Sequence, residues 1–391
     1  MMIELKNFCE FLDSKINTSY IEKNTYVSTE NMFQNKAGIC VATNLPDVLS
    51  VSSFQKNDIL ISNIRPYFKK IYYAKFDGGC SNDVLVFRAK ENTDSKFLYY
   101  VLSDDKFFDY ATATAKGTKM PRGDKVAIMK YSVPNFDIAV QKRIAGILGA
   151  LDDRIDVLRR ENVVLEQMAQ AVFQSWFVDF DIVRAKAAGT PESEVCEKYH
   201  ISPELYALFP SALTPDNLPL GWEKKKLGDF LILSYGKALK ENDRVSGSVP
   251  VYGSSGQIGT HNESLVKAPG IVVGRKGTVG SVIWCDYDFY PIDTVFYVQF
   301  LKEGACWYFA YFLLKILKLQ NLAGDSAVPG LNRDAAYAQT FVCPRTELLS
   351  SFEEVADVLF CKIKNNAEQI RTLSATRDAL LPKLMNGEIE V

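Results

Sequence analysis

Apolar residues recur at steps of three and four along residues 141–180, at Leu148, Leu151, Ile155, Leu158, Leu165, Ala169 and Val172. Positions three and four apart share a helix face, so this spacing predicts one long helix with a single apolar seam. Arg154, Arg159, Arg160, Glu161 and Glu166 lie off the seam, no proline interrupts it, and no glycine follows Gly149. Asn162 falls on it, where a buried amide can fix the register of a helix pair. A second seam runs through Leu359, Ile363, Asn366, Ile370, Leu373, Leu380 and Leu384, with Arg377 at a nominal seam position. Ile155 and Ile363, Leu165 and Leu373, and Val172 and Leu380 are each 208 residues apart. The chain contains itself twice, and each seam suits a partner helix or a core-facing position equally.

The repeat extends to the segments before each helix. Residues 58–64, 71–74 and 84–87 are β-branched or aromatic runs bounded by turn residues and predict strands. Residues 96–110 predict a helix, 112–125 a polar loop, and 131–134 a last strand. In the second copy, 271–273 answers 59–61, 292–295 answers 82–85, 307–319 answers the 96–110 helix, 324–333 answers 116–125, and 341–344 answers 131–134. The loops between these shared segments differ strongly, as expected of one scaffold carrying two surfaces. The expected divisions are a first lobe at 1–137, a central helix at 138–180, a proline-broken connector at 181–222, a second lobe at 223–346 and a C-terminal helix at 347–391. The fold class is α/β in the α+β sense.

With 391 residues, 47% hydrophobic and 24% charged, the chain predicts two or three globular domains. A net charge of -2 argues against a diffuse polybasic binder but not against local basic patches. The start MMIELKNFCEF has no signal-peptide pattern, and the apolar run 307–319 is too short to span a bilayer, so a soluble cytoplasmic protein is expected. Eight scattered cysteines without a C-x-x-C pair predict reduced, mostly buried thiols. Two histidines leave little for metal or triad chemistry, and no metal site is expected.

Catalytic chemistry is hard to find. The loop 274–280 (GRKGTVG) lacks both nucleotide-binding spacings, leaving a structural turn or a close approach of Arg275 and Lys276 to nucleic acid. Asp216 with Glu223 and Lys225 imitates a nuclease site but lies in the connector. No NPPY or DPPY tetrapeptide of a base methyltransferase is present. Basic and hydrogen-bonding residues instead gather in corresponding loops. The first copy offers Asn63, Arg65, Tyr67, Lys69 and Lys70, then Lys116, Thr118, Lys119 and Arg122. The second offers Ser254, Ser255, Gln257 and His261, then Arg275, Lys276 and Thr278, then Asn332 and Arg333. Each set mixes phosphate-neutralising cations with side chains able to read base edges. A self-sufficient nuclease or methyltransferase and a non-DNA coiled-coil scaffold are the alternatives.

The order lobe, helix, lobe, helix, with SWFVDFDIVRAKA after the first helix and RDALLPKLMNGEI after the second, resembles the specificity subunit of type I restriction-modification systems. YVSTENM with DILISNIRPYFKK, and VPVYGSSGQIGTHNESLVKAPGIVVGRKGTVGSV with YPIDTVFYV, look like two classes of its target recognition domains. The resemblance covers essentially the whole chain. It implies no catalytic residues and no bound cofactor. It implies two recognition domains reading the halves of a split asymmetric site in double-stranded DNA, and two helices paired as an antiparallel coiled coil. About 25 to 30 helical residues at ~1.5 Å each would make that coil a ruler of roughly 40 Å. The expected partners are two modification (methyltransferase) subunits using S-adenosylmethionine and restriction (translocase/endonuclease) subunits using ATP and Mg. No membrane partner is expected.

Overall fold

The structure is a computed structural model that describes residues 2–301, 306–322 and 330–391. It divides into two compact units, residues 1–158 with 368–391 and residues 159–367.

In the first unit, Cys9–Phe11, Val84–Ala89, Ile59–Ser62 and Ile71–Tyr73 form an antiparallel sheet in that spatial order. A smaller sheet joins Lys15–Asn17, Ser50–Phe54, Gly78–Cys80 and Tyr26–Val27. The predicted 96–110 helix is two helices, Ser95–Ser103 and Asp105–Ala113. Asp104 breaks them: its backbone is extended and its carboxylate accepts a hydrogen bond from Lys106 N, so a local cap replaces one helical turn.

The second unit repeats the first sheet strand for strand, as Leu231–Tyr235, Val295–Phe300, Gly270–Gly274 and Val282–Cys285. Each unit also carries a two-stranded ribbon, Met2–Glu4 with Ser132–Pro134 and Glu223–Lys226 with Thr340–Cys343. Tyr100 and Tyr308, 208 residues apart, each donate a hydroxyl hydrogen bond to an aspartate on a long helix, to Asp152 at 2.7 Å and to Asp357 at 2.8 Å. The duplication read in the sequence is a duplication of structure. Part of the predicted counterpart of the 116–125 loop, residues 324–329, lies outside the described residues.

The long helices are Ile138–Phe177 and Thr346–Asn386. In the second unit Asn162 meets Asn366 while the Phe173 and Phe352 rings lie 5.7 Å apart, so the helices run antiparallel. In the first unit Asp152 meets Arg377, and Ile144 and Leu148 share a core with Leu381, Leu384 and Met385. Every residue expected on the seams (Leu151, Ile155, Leu158, Asn162, Leu165, Val172, Leu359, Ile363, Asn366, Ile370, Leu373, Leu380) is buried or half-buried. Near the C-terminus Leu381 and Leu384 are more deeply buried than Leu380. Arg377 keeps its seam position by pairing with Asp152 and Asp378.

The connector is more structured than its prolines suggest. It forms the helices Asp181–Ala187, Glu192–Tyr199 and Pro203–Leu208, and buries Ile182, Val183, Val195, Phe209 and Trp222 in the second unit's core. Among the described residues no helix is long and apolar enough to cross a membrane.

Candidate nucleic-acid interface

In each unit the candidate residues cluster where the central strand of the main sheet ends. In the second unit the strand Gly270–Gly274 runs into the glycine-rich loop. A Cβ on Gly274 would lie 2.1 Å from Thr278 O, so only glycine lets the loop fold back this tightly. Gly280 N then donates to Gly274 O at 2.8 Å, and Gly277 and Gly280 take φ of 80° and 73°. The hairpin Val249–Gly253 with Gly256–His261 docks its turn on this loop: Thr278 N donates to Ser254 Oγ at 3.3 Å and Ser281 Oγ to Ser254 O at 2.7 Å. A bridge from Lys276 to Gly330 brings in the segment leading to Arg333.

The structure thus gathers Ser254, Arg275, Lys276, Thr278 and Arg333, with Lys276 and Thr278 exposed. Arg275 and Arg333 both lie over the ring of Tyr235, at 5.3 and 5.1 Å. Tyr235 was absent from the sequence-based set. It ends the strand Leu231–Tyr235 with about half its surface exposed, a property of the fold that the run LILSY does not signal.

Three residues of that set have structural employment. His261 is buried, its Nδ1 accepting from Val245 N at 3.1 Å and its ring against Tyr290, so it is no surface reader. Asn332 caps the helix Arg333–Tyr337 through Ala335 N. Gln257 donates to Gly259 O within its own strand, though it stays exposed, as does Ser255.

In the first unit the loop after Ile59–Ser62 is stitched to the 116–122 hairpin. Arg65 N donates to Pro121 O at 2.8 Å, and Lys116 and Arg122 exchange backbone hydrogen bonds at 2.8 and 2.9 Å. Arg65 and Lys69 both take left-handed backbone conformations. Several cations here already have partners. Lys69 shares Asp105 with Lys36, Lys116 pairs with Asp124, Arg122 pairs with Asp83 at 2.8 Å, and Lys70 donates to Thr29 O at 2.6 Å. The Lys36 hydrogen bond holds the Asp105 carboxyl below its ordinary value, and burial lowers the Lys70 ammonium. Tyr67, Thr118 and Lys119 are exposed, while Asn63 is half-buried. The local charge is therefore less positive than the cations alone suggest. Of the imitated nuclease site, Glu223 pairs with Lys225 at 3.3 Å on an edge ribbon, and Asp216 is exposed in a turn.

The arrangement is a pair of equivalent sheet ends bearing different polar loops, suited to contacting a surface through hydrogen bonds and charge. Comparison with known proteins agrees. The family model for the type I restriction modification DNA specificity domain matches residues 2–167 and again 219–335. The type I restriction enzyme HindI specificity subunit of Haemophilus influenzae is 25% identical over 437 residues, covering 93% of this chain and 94% of its own. The type I restriction enzyme MjaIX specificity subunit of Methanocaldococcus jannaschii is 24% identical over 334 residues, covering 77% and 71%. The crystal structure of the type I restriction-modification S subunit from M. genitalium superposes with a TM-score of 0.53 at 16% identity, covering 98% of this chain and 96% of that one. Matched twice over most of its length, the chain belongs to the family of type I restriction modification DNA specificity domains.

Proposed function

We propose that the chain is the DNA-sequence reader of a type I restriction-modification complex and that it reads a split site, one half with each unit. The observation that carries this is the repeated four-stranded sheet, whose equivalent central strands end in chemically different loops. A duplicated scaffold with unlike loops suits an asymmetric target in two parts. The chain works with other subunits of the complex. In this reading the modification subunits supply adenine methylation from S-adenosylmethionine, and the restriction subunits supply ATP- and Mg-dependent translocation and cleavage.

The test is methylation mapping and DNA binding with the purified chain, alone and with its modification subunits. The proposal expects a split methylated motif that depends on the chain, and no cleavage or methylation by the chain alone. Activity of the isolated chain with metal or methyl donor would favour a self-sufficient enzyme. A complex indifferent to DNA sequence would favour a scaffold.

A further inference from the structure

We infer that Arg275 is a base-reading side chain of the second unit, that the base is guanine, and that Lys276 serves the phosphate backbone; this rests on the DNA-reading proposal above. The first support is the backbone. Arg275 follows the last ladder pair of the central strand, Gly274 with Val295. Its N donates to Thr294 O at 2.9 Å and its O accepts from Leu331 N at 2.8 Å, which pins it from both sides. The first unit builds the same position. Asn63 follows the pair Ser62 with Val84, its N donates to Asp83 O at 2.8 Å, and its O accepts from Gly123 N at 3.1 Å. Gly123 and Leu331 are 208 residues apart. One framework position therefore holds a guanidinium in the second copy, the group whose geometry suits bidentate contact with guanine, and in the first copy an amide whose Oδ1 is buried.

The second support is the side chain. Nε and Nη2 of Arg275 donate to Asp293 O at 3.1 and 2.5 Å, and the guanidinium lies 5.3 Å from the Tyr235 ring and 6.0 Å from that of Phe296. The carbonyl takes the side edge of the fork and leaves the end edge, Nη1 with Nη2, to face a ligand. Two parallel donors held in one plane match O6 and N7 of guanine. A cation that only neutralises phosphate needs no such anchoring, and the exposed, flexible Lys276 is suited to that task.

The experiment uses the chain in complex with its modification subunits. Binding would be measured on the mapped recognition sequence and on duplexes substituted at each G·C pair, over a range of salt. Arg275→Ala and Arg275→Lys are both expected to lose about 10- to 100-fold discrimination at a single G·C pair of one half-site. Arg275→Lys keeps the charge and the stem, so it decides the matter if Arg275→Ala fails to fold. Lys276→Ala should weaken all duplexes alike and reduce the salt slope by about one. Full discrimination retained by Arg275→Lys, or uniform weakening with a reduced salt slope in Arg275→Ala, would overturn the inference alone. A wild-type complex with no sequence preference would overturn the parent proposal and this inference with it.

Discussion

Asn366, fully buried on the second long helix, donates a 2.9 Å hydrogen bond from its Nδ2 to Oδ1 of Asn162 on the first. Asn162 Nδ2 in turn reaches the Ile363 carbonyl at 3.4 Å. The Asn366 Nδ2 finds Asn162 Oδ1 only when these two helices meet in this register, and Asn366 Oδ1 is buried without a partner among the described residues. Advancing Asn162 by the 208-residue repeat gives Ile370, and moving Asn366 back by it gives Leu158. A helix paired with a second copy of itself would thus set each amide against an aliphatic side chain.

The first prediction follows. Asn162→Leu or Asn366→Leu alone strands a buried polar group and should destabilise the second unit by about 1–3 kcal/mol. The double variant should recover much of that loss, because both partners become apolar together. Denaturant unfolding followed by hydrogen exchange across the two helices reads the coupling. Strictly additive single costs would mean that the pair does not interact.

A second polar contact holds the first unit. Asp152 accepts from Tyr100 Oη and from Arg377 Nη1, both at 2.7 Å. Burial first, then the neighbouring Asp152 charge, pushes the Tyr100 hydroxyl far above its ordinary range. Asp152→Ala would leave the buried Tyr100 hydroxyl without its acceptor and Arg377 with Asp378 alone, at a cost of roughly 1–3 kcal/mol. Thermal unfolding of the variant tests this, and an unchanged transition would contradict it.

Glu353 gives a pH signature. From the second long helix its carboxylate accepts from Tyr308 N at 3.1 Å and Phe309 N at 2.8 Å, capping the helix Trp307–Ile316, whose own Cys306 supplies no side-chain cap. Burial outweighs these donors and raises its pKa from 4.5 to about 7. The folded state then holds this proton more tightly than the unfolded state, so the contribution is complete below pH 4.5 and is lost as pH rises towards 7. Glu353→Gln keeps an acceptor and removes the titration. The wild type should lose stability relative to the variant as pH rises across that window. Parallel pH profiles would show that Glu353 does not titrate there.

The thiols offer a simpler check. Burial raises Cys9, Cys80 and Cys306 to about 12, whereas Cys40 and Cys361 are exposed. In the native chain an alkylating reagent should label Cys40 and Cys361 first and reach Cys9, Cys80 and Cys306 only on unfolding. Rapid native labelling of Cys80 would contradict the core packing.

Much of the framework was legible because local pattern and tertiary contact agree. The seams around Ile155 and Ile363 encode helices whichever neighbour they meet, and the 208-residue interval ties the two lobes together before any contact is known. What escaped the sequence depends on distant partners. Glu353 caps a helix more than forty residues away, and the Lys69–Asp105 and Arg122–Asp83 pairs join residues that share no motif. The break at Asp104 was missed because the apolar pattern of 96–110 runs on across it, while a carboxylate able to cap its own backbone ends the helix. Tyr235 and His261 show the same limit at the candidate interface. Whether a loop residue faces solvent or the core is settled by how the hairpin folds over it.

The most direct test exchanges residues 1–137 for the corresponding lobe of a relative with a different specificity and maps methylated bases in cells carrying the chimaera. Modular reading by two units predicts that one half-site changes and the other is kept. A change in both halves, or in neither, would contradict the account.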